Sequence, residues 1–171
     1  LVCIHGYFMG NTRFGLWIFD AIRLHRRLGI NVMLPVLPFH GPRKAGRFSG
    51  EGFLGGSLVD TVHAEAQSVW DLRRLLGWIR ARGAPSIGVH GVSLGGYNAA
   101  LLAGLDDGLS CVIAGVPPVD LARLVWTHAG PTVVGSLERA GIDRDEVAEL
   151  YRVVSPLAVV PRVPFARRAI Y

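Results

Sequence analysis

The chain has 171 residues, half of them apolar, and a formal net charge of +5. That length carries one domain with a real core, and the apolar content suits a buried parallel sheet whose strands are apolar on both faces. The 18 basic side chains, all arginine except Lys44, are scattered and form no stripe of the kind a nucleic-acid binder needs, and no apolar run reaches the roughly 18 residues of a membrane span.

In chain order, Leu1 to Ile4 reads as a strand and residues 5–10 (His5-Gly6-Tyr7-Phe8-Met9-Gly10) as the loop after it. Phe14 to Leu28 has a helical apolar period, stopped at Gly29. Asn31 to Leu37 reads as a second strand, ended by Pro38, and a long Gly- and Arg-rich loop follows from Phe39 to Gly56. Leu58 to Arg82 is the longest predicted helix, ended by Gly83. Ser86 to His90 is a third strand, Gly95 to Leu105 a small-residue helix able to pack close to a sheet, and Ser110 to Ala114 a fourth strand. Residues 116–154 read as short helical pieces: Asp120 to Thr127, Thr132 to Ala140, and Asp143 to Val153, the last opening on a capping box formed by Asp143 and Glu146. Phe165 to Tyr171 reads as a fifth strand.

Strands alternating with helices predict an α/β fold, a parallel, doubly wound sheet with helices on both faces. The whole chain, 1–171, reads as a single domain. Because it opens and closes inside strands, it is expected to be part of a longer protein with a truncated core. The opening Leu1-Val2-Cys3-Ile4 lacks a basic leader, so no signal peptide is expected and the cytoplasm is the expected compartment. Cys3 and Cys111 fall in predicted buried strands and are expected as free core thiols.

The most informative stretch is residues 87–96, Ile87-Gly88-Val89-His90-Gly91-Val92-Ser93-Leu94-Gly95-Gly96. An apolar strand, a tight G-x-S-x-G turn and a helix opening on small residues form the context of a nucleophile elbow. Glycines at 91 and 95 let strand and helix approach so closely that the Ser93 hydroxyl is held out at the tip, with the Leu94 N–H aimed the same way. With this elbow, the His5-Gly6 loop and the Leu37-Pro38-Phe39-His40-Gly41 turn, the chain resembles the α/β-hydrolase superfamily, and more loosely its bacterial members. The resemblance covers nearly the whole chain. It implies a sheet with Asn31–Leu37 outermost, followed by the strands beginning at Leu1, Ser86, Ser110 and Phe165. Cys3 and Cys111 would then lie two strands apart, about 10 Å, too far for a disulfide.

The resemblance implies a serine hydrolase acting on a carboxylic ester or related acyl compound. Ser93 is the expected nucleophile, since a serine attacks only once a base takes its proton. Leu94 supplies one oxyanion donor, and by resemblance Tyr7 supplies the second, with Phe8 as runner-up. In the family the base is a histidine after the last strand, held by a carboxylate. Here only His128 follows Ser93. His128 is the candidate base and Asp120 the candidate acid within the chain; Asp120 also reads as a helix N-cap. The usual positions for both lie past Tyr171, so the isolated chain is expected to be nearly inactive. His5 and His40 read as structural, His90 as a core or supporting residue, and His25 and His63 as surface residues.

Residues 116–154 are expected to form a lid or cap over the site, its apolar residues favouring a small-molecule or lipid-like acyl substrate. The cluster Arg43, Lys44 and Arg47 reads either as a solvated loop or as a contact for an anionic group. No cofactor or metal is expected: the Gly50–Gly56 run has neither a dinucleotide fingerprint nor a P-loop lysine, and no His/Cys/Asp spacing suits a metal. Two other readings stay open, a non-catalytic pocket that lost its base and an inactive fragment of a longer enzyme. The sequence leaves the oligomeric state open.

Overall fold

The computed structural model describes residues 1–54 and 57–171. Gly55 and Gly56, the end of the predicted Gly/Arg loop, lie outside the described residues. Four parallel strands, β1 (Val2–Ile4), β2 (Gly88–Val92), β3 (Cys111–Gly115) and β4 (Arg168–Ile170), lie side by side in the order β1-β2-β3-β4. Ile4 sits opposite Gly91, Gly91 opposite Ala114, and Ala114 opposite Ile170. This is an α/β fold with the predicted strand order, and Cys3 and Cys111 are free thiols on strands that flank β2.

Because side chains alternate along a strand, the register divides the sheet into two faces. Val2, Ile4, Val89 and Val112 point to one face and join Ala64, Leu72 and Leu76 of helix α3 (Leu58–Ala81) and Leu94, Ala99 and Leu102 of helix α4 (Leu94–Leu105) in the main core. His90, opposite Cys3 and Ile113, points to the other face, where buried Phe19 packs edge-on against it at 5.1 Å. Phe19 joins helices α1 (Thr12–Ile18) and α2 (Ala21–Leu28), so both faces carry helices.

Helices α5 (Leu121–His128), α6 (Pro131–Arg139) and α7 (Arg144–Tyr151) follow β3. Leu121, Ala122, Val147 and Tyr151 form a second core with Tyr97 and Leu101 of α4. The α7 capping box is made as the sequence predicts, with Asp143 accepting from the Asp145 and Glu146 amides and Glu146 accepting from Asp143. Among the described residues no helix is long and apolar enough to cross a membrane.

Three expectations are corrected. The predicted helix from Phe14 to Leu28 is two helices, because Asp20 turns left-handed at φ +47°. Aspartate tolerates that conformation better than most residues, and the turn drops Phe19 onto His90. The predicted strand Asn31–Leu37 shrinks to a single parallel bridge, Val2 to Met33, held by Cys3 N–H to Met33 O and Met33 N–H to Leu1 O. Pro35 has no N–H to continue the ladder, and the Leu37 amide turns to the His5 ring instead. Cys111 is half-buried rather than buried.

Candidate active site

The carboxyl ends of parallel strands are where such sheets place their sites, and here that edge is strained. Of the five non-glycine residues with positive φ among the described residues, four follow the ends of successive extended segments: Phe8 after β1, Phe39 after Leu37, Ser93 after β2 and Val116 after β3. Each such residue costs about 1–3 kcal/mol and persists only where its surroundings enforce it.

Ser93 is the sharpest case. It ends β2 and caps α4 at φ +54°, ψ −117°, and its amide donates to Gly115 O on β3 at 2.8 Å. The neighbouring glycines are obligatory. A Cβ on Gly91 would run into the Gly95 carbonyl, one on Gly95 into the Ile4 carbonyl, and one on Gly96 would sit 2.6 Å from Gly115 O. Three strands and the first turn of α4 therefore meet backbone to backbone, and Ser93 stands at the crossing, partly exposed. At Gly6 a Cβ would lie 3.3 Å from Ser93 Cβ, so the loop after β1 runs directly beside the serine.

Leu94 is the first residue of α4, so its N–H is one of the donors that a helix start leaves without an intrahelical acceptor. Tyr7 follows Gly6 in the adjacent loop, and its hydroxyl donates to Leu54 O at 3.1 Å, which pins the loop to the segment after Phe39. His5 fixes the same loop from below. Its Nδ1–H donates to Gly6 O at 2.8 Å and its Nε2 accepts the Leu37 amide at 3.1 Å, so both ring nitrogens are committed in the neutral form. Burial, with nearby His40 opposing a second charge, holds the His5 pKa down at about 4 despite the Gly6 bond. His40 is fully buried, donates from Nδ1 to Pro38 O at 2.7 Å, and stacks among His5, Tyr7 and Phe53.

The remaining predicted residues fall as follows. Asp120 is exposed and caps α5, accepting the Arg123 amide at 2.8 Å. His128 is exposed in the last turn of α5. His90 bonds the Tyr171 hydroxyl at 3.0 Å. Among the described residues no histidine is hydrogen-bonded to Ser93. In the basic loop, Arg43 pairs with Asp71 at 2.7 Å, Arg47 with Glu51, and Lys44 donates to Arg47 O. A cavity of about 980 Å³ opens at the opposite, amino end of the strands beside Leu1, Met33, Trp78 and Ile87.

Sequence reading passed over two buried residues behind the elbow, Glu65 and Asn98. A signal for the first existed: Thr61, Glu65, Ser68, Leu72 and Leu76 form one buried stripe at helical spacing, with a carboxyl in its middle.

No protein-family model matches the chain. Two curated proteins of Mycobacterium tuberculosis, the uncharacterized proteins Rv2627c of strain H37Rv and MT2702 of strain CDC 1551, are each 47% identical to it over 175 residues. The match takes in 100% of this chain and 41% of each relative, so the chain spans about two fifths of the length of the curated relatives it matches. Among solved structures the chain is similar to the Pyrococcus furiosus esterase Pf2001, with a TM-score of 0.50 and 16% identity over 99% of this chain and 71% of that one. The fold is α/β-hydrolase-like. At that identity the likeness speaks for the fold alone.

Proposed function

We propose that this chain carries the nucleophile and oxyanion hole of a serine hydrolase that cleaves a carboxylic ester or related acyl compound through an acyl-enzyme at Ser93. The observation that carries the reading is Ser93 itself, held at φ +54° between β2 and α4 with the Gly6 loop against it. In this reading Ser93 Oγ attacks the substrate carbonyl carbon and the oxygen takes up the charge. The Leu94 and Tyr7 N–H groups receive that oxyanion. Collapse expels the alcohol, and water then releases the acid.

The proton acceptor is a histidine held by a carboxylate. Within the chain the candidates are His128 and Asp120, but Asp120 already caps α5. We therefore place the working pair in the part of the longer protein that the curated relatives have beyond the shared stretch. Residues 116–154 form the cover over the site in this proposal, and the exposed aromatic ring of Phe8 beside Phe48 suits an apolar acyl group.

The reading is tested with a fluorophosphonate probe on the chain and on its Ser93→Ala variant. Slow labelling that vanishes in the variant is the expected result, because an oxyanion hole without its base retains roughly 10³–10⁴-fold catalysis over water. Equal labelling of both proteins, or none of a folded chain, refutes it.

A further inference from the structure

Directly behind the elbow, α3 and α4 are joined by a buried polar contact, far along the helices from the Arg80–Asp106 pair at the end of α4. Glu65 and Asn98 are both fully buried. Asn98 Nδ2 donates one hydrogen to Glu65 Oε2 and the other to Leu94 O, each at 3.1 Å. The second bond ties the amide to the residue whose N–H is the proposed oxyanion donor. Two atoms are left over, Glu65 Oε1 and Asn98 Oδ1, both buried and both without a partner among the described residues. They belong to the same carboxyl and the same amide that already touch. Both are acceptors if Glu65 is ionised, and an ionised carboxyl here would leave two buried acceptors and a buried charge uncompensated. One proton on Oε1 satisfies both, since the acid O–H donates to Asn98 Oδ1 and closes a reciprocal acid–amide ring.

We propose that Glu65 is held as a neutral carboxylic acid in a reciprocal pair with the Asn98 amide, and that this pair is the positioning element that fixes the first turn of α4 beneath Ser93. Its catalytic consequence, steady aim of the Leu94 N–H, rests on the hydrolase reading above; the pair itself does not.

The surroundings agree. No ion pair among the described residues includes Glu65. The titratable groups around it are the Tyr97 phenol on α4 and the Tyr151 phenol on α7, both pushed up by burial and neutral, and Tyr97 donates to Val154 O at 2.8 Å. On its own helix, the buried neighbours Thr61, Ala64, Ser68 and Leu72 are all uncharged. Burial raises the Glu65 pKa to about 8, against the opposing pull of the Asn98 bond.

Two variants and three readouts test the proposal. Glu65→Gln keeps the ring, with an amide N–H in place of the acid O–H, and removes the titration. Glu65→Met removes the ring and keeps the bulk. In the unmodified chain, infrared spectroscopy shows a protonated buried carboxyl at neutral pH that disappears near pH 8 and is absent from Glu65→Gln. Hydrogen exchange of the Tyr97 backbone N–H, which donates to Ser93 O at 2.9 Å and closes the first turn, stays slow in Glu65→Gln and speeds about five- to tenfold in Glu65→Met, the worth of one lost hydrogen bond. The rate of fluorophosphonate labelling at Ser93 declines above pH 8 in the unmodified chain and not in Glu65→Gln. An ionised Glu65 at neutral pH, or a Glu65→Gln turn that exchanges as fast as Glu65→Met, overturns the proposal. A protonated carboxyl and a protected turn in a chain that does not label uphold the pair and defeat only the hydrolase reading.

Discussion

Replacing Ser93 by glycine separates the strain at the elbow from its chemistry. At φ +54°, ψ −117° the serine Cβ is held where L side chains are disfavoured, a cost of about 1–3 kcal/mol. Glycine removes that cost but gains freedom in the unfolded chain, which takes back about 0.4–1 kcal/mol. The expected net effect is a chain more stable by about 0.5–2 kcal/mol, or roughly 1–8 °C in Tm for a domain of this length. Ser93→Ala is the control, because alanine keeps the Cβ and the strain while deleting the same hydroxyl. Both variants lose labelling by a serine-directed probe, and only the glycine variant melts higher. Urea unfolding of the three proteins side by side gives the difference directly. If Ser93→Gly is no more stable than Ser93→Ala, the positive φ of Ser93 stores no strain.

Three further outcomes follow from the same geometry. Gly95→Ala puts a methyl group against the Ile4 carbonyl, a rigid backbone atom, so it should cost about 1–3 kcal/mol or more by urea unfolding and abolish labelling of Ser93. His5 has a folded pKa near 4, below its ordinary 6.5, so the unfolded chain binds the extra proton between those values. Stability is then fully present above pH 6.5 and falls by about 1.4 kcal/mol per pH unit on acidification towards pH 4, and His5→Gln should flatten that limb of a stability–pH curve. Asp106 accepts from Arg80 and from the Gly108 amide at the end of α4. Asp106→Ala should therefore destabilise by about 1–3 kcal/mol in the same unfolding assay, and a smaller loss would mean the turn holds without it.

The sequence made the sheet legible because its strands are short apolar runs separated by unmistakable helices, and the strand order came with the resemblance. The elbow was legible because its two glycines have no other use: each occupies a point where two backbones touch. Boundaries set by single residues were not legible. Periodicity alone cannot show that Asp20 would turn left-handed, since Phe14 to Leu28 remains apolar at helical spacing across it. The Asn31–Leu37 run looked like a strand because its composition is strand-like, yet Pro35 and the pull of His5 on the Leu37 amide divert it after one bridge. The Glu65–Asn98 contact joins residues 33 positions apart, and only the tertiary fold brings an amide to that carboxyl.

The unit β2–α4–β3 is continuous in the chain, whereas β1 and β4 must be brought to it across long intervening segments. Closing a loop costs entropy that grows with its length, so this central unit is the part of the sheet that can assemble first. The strained serine lies inside it. The strain at Ser93 is therefore met while the molecule is still forming, before the outer strands and α7 are in place to enforce it. Relieving it should show in the speed of folding more than in the speed of unfolding. A strained serine inside the unit that can assemble first slows assembly at a single residue.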